Sequence, residues 1–343
     1  MCIALISTAH PKYPLILLSN RDEFLDRPTA PAAFWDAPNS HVLGGRDLQR
    51  PVQGTWLGIT KQGRIAVLTN FREEDQGNIS AEKSRGGIPN ALLTLPPDSD
   101  ETIEQFARRL IEEGVADVGG FSLAFGRVRK PEKGRWEGLA IVSNRTPNVE
   151  DMTHVATAPN QTVGLSNSLF GDSTWPKVVH GERLLEEVIS SSVLRDDAQE
   201  KLVEHFFDIL SLDTLPKQRV GEEWTTFVGQ LRKSIFVPAV GGKEVETTPA
   251  DKLAAAEEAE EVLVQERRVE TDAAEAESGA GKYGTQKQTV ILVSTAGHVT
   301  YIERTLYGDG GRPVSNSERD RKFEFDIERW DDVRQSSDRD AKA

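Results

Sequence analysis

The sequence predicts an α+β protein in which two β-sheets stack on each other and carry helices on their outer faces. Three observations lead there. Short apolar runs bounded by turn residues recur in pairs, Ile3–Ser7 with residues 15–19 and residues 55–60 with Arg64–Asn70, as buried hairpin strands do. Two helical stretches, around residues 89–113 and 174–210, interrupt the strands. Strands then resume at residues 289–294 and 299–304, so the order is strands, helices, strands, helices, strands.

Each element has a local reason. The Pro11-Lys12-Tyr13-Pro14 turn folds the second strand back on the first. Residues 26–50 carry Pro28, Pro31, Pro38 and Gly44-Gly45 and read as loop. Lys61-Gln62-Gly63 turns the second hairpin, which ends at Asn70. A short helix is expected over residues 89–95. A longer one over 101–113 carries Ile103, Phe106, Ala107, Leu110 and Ile111, with Asp98 and Glu101 as a capping box and Gly114 as its stop. Phe121–Arg127, residues 138–143, 154–157 and Thr162–Leu165 read as strands. Thr174-Trp175-Pro176 opens the next helix, with Val178, Leu184, Leu185, Val188 and Ile189 on its inner face. Leu202, Val203, Phe206, Phe207 and Leu210 belong to a second. Residues 234–237 suggest a short strand, and the alternation over 323–327 an edge strand.

Composition narrows the function classes. The 343 residues carry a net charge of −14, with 12 acidic and 4 basic residues concentrated between Lys243 and Glu277. Residues 242–282 are rich in Ala and Glu and read as an acidic, disordered insertion that offers a surface for protein partners. Outside it the protein is only mildly acidic, which argues against a nucleic-acid partner. The expected organisation is one domain over residues 1–335, carrying this insertion, and a polar tail over 335–343. A single cysteine excludes an intramolecular disulfide framework and a multi-cysteine zinc site. The six histidines show no metal-ligand spacing and read as structural. No secretory leader and no apolar stretch of about 18 residues is visible, so a cytoplasmic protein without a transmembrane segment is expected.

The lone cysteine, Cys2, follows Met1 directly. Removal of Met1 would place a thiol, pKa roughly 8.5, and an α-amine, pKa roughly 7.7–8.0, on one residue. Such an amine can take the proton of its own thiol. The first hairpin brings Cys2 toward the polar cluster Asn20-Arg21-Asp22-Glu23. The plainer reading is that Cys2 is a small buried hydrophobe and the cluster a solvated loop or a structural network.

The segment Ser19-Asn20-Arg21-Asp22-Glu23 behind Met1-Cys2 resembles the signature of the NRDE family, also called the transport and Golgi organisation protein 2 family. Gly54-Thr55-Trp56-Leu57-Gly58, Leu68-Thr69-Asn70-Phe71-Arg72, Ser84-Arg85-Gly86, Gly164-Leu165-Ser166-Asn167-Ser168 and Tyr283-Gly284-Thr285 extend the likeness almost end to end. The family is similar to N-terminal nucleophile hydrolases, which implies a four-layer αββα sandwich. Gln286 stands where the family usually has Arg, which puts any anion contact of that arginine in doubt.

The resemblance implies a catalytic set of Cys2, Arg21, Asp22, Asn70 and Asn167. Cys2 would attack an acyl carbon while its amine carries the proton. Asp22 would hold that amine, Arg21 would favour the thiolate, Asn70 would donate to an oxyanion, and Asn167 would position amine or substrate. Asn20, Glu23, Trp56, Arg72 and Arg85 are the expected binding residues. Each has a bland alternative: Asn70 as a turn residue, Arg21 as a partner of Glu23, and the aromatic set Trp35, Trp56, Phe71 and Trp175 as core rather than pocket. The resemblance also implies a role in secretion and Golgi organisation, with links to mitochondria and to haem or lipid handling. Amide or thioester hydrolysis is the enzymatic expectation, with no cofactor. The rivals are a carrier of a small apolar or acyl ligand, with haem as a bound ligand, and a trafficking scaffold.

Overall fold

The structure is a computed structural model that describes residues 2–71, 84–113, 115, 118–131, 136–217, 227–241 and 281–331. The stop assigned to Gly114, the acidic insertion apart from its last two residues, and the whole of the polar tail lie outside the described residues.

Fourteen strands form two antiparallel sheets among the described residues. The first contains β1 (Ile3–Ser7), β2 (Leu15–Phe24), β10 (Thr162–Leu165), β11 (Val240–Gly241), β12 (Lys282–Val293), β13 (His298–Thr305) and β14 (Asp320–Asp326). Its order is β10-β1-β2-β12-β13-β14, with β11 paired to β12. The second runs in sequence order through β3 (Thr29–Phe34), β4 (Val42–Asp47), β5 (Leu57–Thr60), β6 (Arg64–Asn70), β7 (Phe121–Arg127), β8 (Leu139–Ser143) and β9 (Thr153–Val155). The helices are α1 (Gly87–Leu93), α2 (Ile103–Glu112), α3 (Pro176–Arg195) and α4 (Gln199–Leu210).

The period-2 pleat divides each strand between two cores. Ala4, Ile6, Leu15 and Leu17 pack between the sheets with Ile59, Ile65, Val67 and Ile291. Ile3, Leu5, Ile16 and Leu18, their neighbours in sequence, pack under α3 and α4 with Leu185, Ile189, Phe206 and Leu210. Ala66, Leu68, Leu123 and Phe125 likewise face away from the first sheet, toward Leu92 of α1 and Phe106 and Leu110 of α2. The layers are therefore helices, sheet, sheet, helices: the expected αββα sandwich. Truncating a fully buried inter-sheet residue such as Leu17 to Ala costs about 2–5 kcal/mol.

Several local expectations change. The stretch read as loop over residues 26–50 forms β3 and β4. Pro31 is tolerated because β3 is a sheet edge and its register shifts between Ala30 and Ala33. The capping box of α2 is Thr102 with Gln105, not Asp98 with Glu101. The inner face of α3 includes Lys177 and Gly181 beside Leu185 and Ile189. Residues 234–237 join no sheet and bend at Ile235 and Phe236, and β11 follows them. Most consequential, β2 does not end at Ser19. It continues to Phe24, because β12 pairs with it along its whole length, and so buries the polar cluster inside the sheet.

Candidate active site

The pleat splits Asn20-Arg21-Asp22-Glu23 between the two faces of the first sheet. Asn20 and Asp22 continue the side of Ile16 and Leu18, toward the helices. Arg21 and Glu23 continue the side of Leu15 and Leu17, toward the second sheet.

On the helix side, Asn20 is fully buried, and its Nδ2 donates to Leu210 O (2.8 Å) and Ile235 O (2.9 Å). Gln288, its register partner, donates to the same Leu210 carbonyl (2.9 Å). These amides satisfy the carbonyl at the end of α4, which the helix itself leaves open. Asp22 Oδ1 accepts from Thr285 Oγ1 (2.7 Å), and that oxygen accepts in turn from Val237 N (2.9 Å). Asp22 Oδ2 lies 3.9 Å from Lys177 Nζ in the first turn of α3, where neither side chain is exposed.

On the inter-sheet side, Arg21 donates to Gln286 Oε1 and stacks over Trp56, 4.5 Å from guanidinium carbon to ring centroid. Its Nη2 lies 3.8 Å from Glu23 and 3.6 Å from Asp47, and Arg27 Nε bonds Asp47 at 2.8 Å. A β-carbon on Gly45 would meet the Trp56 ring at 2.7 Å, so the glycine admits this stack. Gln286 occupies the register shift of β12 between Thr285 and Lys287, which turns its side chain toward Arg21.

Cys2 precedes β1, and continuing the register of Ile3 with Asn20 sets it beside Arg21. Its thiol donates to the carbonyl of Asp22 (3.7 Å), which also accepts from Tyr283 Oη (3.0 Å). Burial pushes the Cys2 thiol up. The chain's terminal ammonium opposes this, and Arg21 adds the weakest downward pull. The acidic thiol expected from Arg21 is therefore not found with Met1 in place, because removing the sulfur from water outweighs the nearby cations. Burial also pushes Lys177 down, against the pull of Asp22 and Cys2.

The loop after β10 completes the cluster. Ser166 Oγ donates to Cys2 O (2.7 Å), Thr69 Oγ1 donates to Ser166 O (2.7 Å), and Asn167 Nδ2 donates to Asn70 O. Asn70 Oδ1 is buried without a hydrogen-bond partner among the described residues. Ser166 and Asn167 thus tie Cys2 and Asn70 into one stretch of hydrogen bonds, while Asp22 and Arg21 flank Cys2 on opposite faces of β2.

The expected binding residues divide. Trp56 lies against Arg21, and Glu23 shares in its ion-pair network. Asn20 is committed to α4. Arg85 donates to Gly120 O (3.3 Å), the carbonyl that also takes Phe71 N (2.9 Å), and so flanks the exit of β6. Arg72 lies outside the described residues. The four aromatics do not form one pocket: Trp35 belongs to the core under α1 and α2, Trp56 to the core between the sheets. Sequence reasoning missed Lys177 and Thr285. Thr285 stood inside a quoted motif, whereas Lys177 looked like an ordinary helix-surface lysine.

The profile of the family described as Transport and Golgi organisation 2 matches residues 1–308. The chain belongs to that family. A Transport and Golgi organization protein 2 homolog of Bos taurus is 31% identical over 86% of this chain and 88% of its own. The Homo sapiens homolog is 29% identical over 86% and 87%. An uncharacterized protein of Saccharomyces cerevisiae (strain ATCC 204508 / S288c) is 28% identical over 95% of this chain and 100% of its own. Among solved structures, a penicillin V acylase from Agrobacterium tumefaciens is 13% identical over 95% of this chain and 86% of its own, with a TM-score of 0.34. A mutant conjugated bile acid hydrolase from Clostridium perfringens is 11% identical over 95% and 92%, with a TM-score of 0.33. Within the family's span, no helix of the described residues is long and apolar enough to cross a membrane.

Proposed function

We propose that this member of the Transport and Golgi organisation 2 family is an N-terminal cysteine hydrolase of amides or thioesters, active once Met1 is removed. The observation that carries the reading is the placement of the lone thiol against Asp22, with the carboxylate anchored by Thr285 and Lys177. In this mechanism the Cys2 α-amine, held by Asp22, takes the thiol proton, and the thiolate attacks the acyl carbon. The ammonium then returns the proton to the leaving amine or thiol. Water, activated by the same amine, releases the acyl group. A half-turn of the Asn70 amide exchanges its orphaned acceptor for a donor toward the developing oxyanion. Asn167 holds Asn70 in place through its carbonyl.

The family's naming supports a role in transport and Golgi organisation, with the chemistry serving an acyl-bearing partner or metabolite of that route.

The test is acyl trapping. The chain starting at Cys2 and the chain retaining Met1 are each incubated with an aryl thioester and weighed intact. An acyl adduct on Cys2 that forms and decays only in the first chain supports the hydrolase. Tight binding of an apolar acyl probe without turnover in either chain replaces it with the carrier.

A further inference from the structure

Lys177 is a buried charge whose part in the chemistry above is so far only to anchor the Asp22 carboxylate. It sits in the first turn of α3, fully out of solvent. A helix N-terminus and the loss of water both disfavour an ammonium there. Asp22 Oδ2 lies 3.9 Å from its Nζ, and the Trp175 ring 5.9 Å away. The other carboxylate oxygen is already taken by Thr285. The backbone of the same residue accepts the Cys2 thiol, so Lys177, Asp22 and Cys2 form one contiguous group.

We propose that Lys177 is a positioning residue of the Cys2 site: it shares the Asp22 carboxylate with the α-amine exposed by loss of Met1 and thereby keeps that amine in its proton-accepting form. The inference rests on the hydrolase reading. One carboxylate cannot neutralise two ammonium groups, and like charges at this range disfavour one another. The two amines therefore titrate as a coupled pair around Asp22. The shared proton leaves the terminal amine able to accept from sulfur: the S–H bond breaks, an N–H bond forms, and no other reactant is needed. Asp22 and Cys2 pull Lys177 toward its charged form, the form the sharing requires, while burial opposes them. Arg21, on the opposite face of β2, acts on the thiol. Thr285 and Tyr283, from β12, contact Asp22 through hydroxyls.

The experiment uses the full chain from Cys2 onward, released from a fusion and verified by intact mass. Cys2 is the only cysteine, so iodoacetamide reports on it alone, and a ¹³C-cysteine label gives one Cα and one Cβ signal. Alkylation rate against pH is measured for the unmutated chain, Lys177→Met and Lys177→Arg. The expected result is an inflexion raised by about one pH unit in Lys177→Met and restored by Lys177→Arg. A Lys177→Met profile that overlays the unmutated one, at an unchanged melting temperature, overturns the proposal. Should a variant fail to fold, the Cα titration of the unmutated chain decides. An amine titrating below its ordinary range of about 7.7–8.0 upholds the proposal, and one titrating within or above it overturns it. Thioester turnover is read separately. Turnover with an unshifted profile sinks the role of Lys177 alone. A shifted profile without turnover sinks the hydrolase and leaves the charge coupling standing.

Discussion

Lys177 and Asp22 face each other inside the molecule, Nζ 3.9 Å from Oδ2, and neither side chain reaches solvent. Removing Asp22 leaves a buried ammonium without its counter-charge. Asp22→Ala should therefore destabilise by roughly 3–5 kcal/mol in urea unfolding. Adding Lys177→Met should restore part of that loss, since the two residues are in one network. Urea midpoints within error of the unmutated chain for Asp22→Ala would place the carboxylate outside any such pair.

Asn20 makes a different prediction although it is only two residues away. Its amide serves Leu210 O and Ile235 O. Asn20→Ala should cost about 1–3 kcal/mol by taking the donor from Ile235 O and leaving Leu210 O to Gln288 alone, while the pH profile of Cys2 alkylation stays where it was. A shifted profile at unchanged stability would move Asn20 from the scaffold into the chemistry.

The thiol itself gives a test in the chain that keeps Met1. Burial raises its pKa, so thiolate forms at higher pH than in an unfolded chain. Iodoacetamide should react in the native protein with an inflexion above the ordinary value of about 8.5, and in urea at that value. Coincident native and urea profiles would show a thiol open to water.

The acidic stretch offers a prediction from the strands beside it. Val240 pairs with Tyr283, and Gly241 with Lys282. The chain therefore leaves the first sheet and returns to it at neighbouring positions. Replacing residues 242–281 by a short Gly/Ser turn should leave the melting temperature within a few degrees, because closing a loop whose ends already meet costs little and depends weakly on length. A fall of ten degrees or more would mean that the segment packs on the body.

The layer order was legible in the sequence because apolar periodicity reports burial directly. Ile3–Ser7, Arg64–Asn70, Phe121–Arg127 and Thr162–Leu165 are strands at the bounds their apolar runs suggest. Trp175-Pro176 opens α3 as its local chemistry requires. Where the pattern is weak, pairing decided instead. Residues 29–34 and 42–47 contain prolines and glycines, yet they become β3 and β4 because β5 offers an edge to extend.

The sequence by itself determined the two sheets and the helices outside them, since periodicity is a local property, and its motifs supplied, through the family resemblance, the candidate set of Cys2, Arg21, Asp22, Asn70 and Asn167. Only the tertiary structure decided how that set is divided. Pairing with β12 carried Asn20-Arg21-Asp22-Glu23 into the interior of β2. The pleat then sent Asp22 toward the helices and Arg21 toward Trp56. Lys177 joined the group only because α3 lies across that face of the sheet. Burial and charge coupling arise between residues 155 positions apart in the chain, Asp22 and Lys177, and no local pattern encodes such a pair.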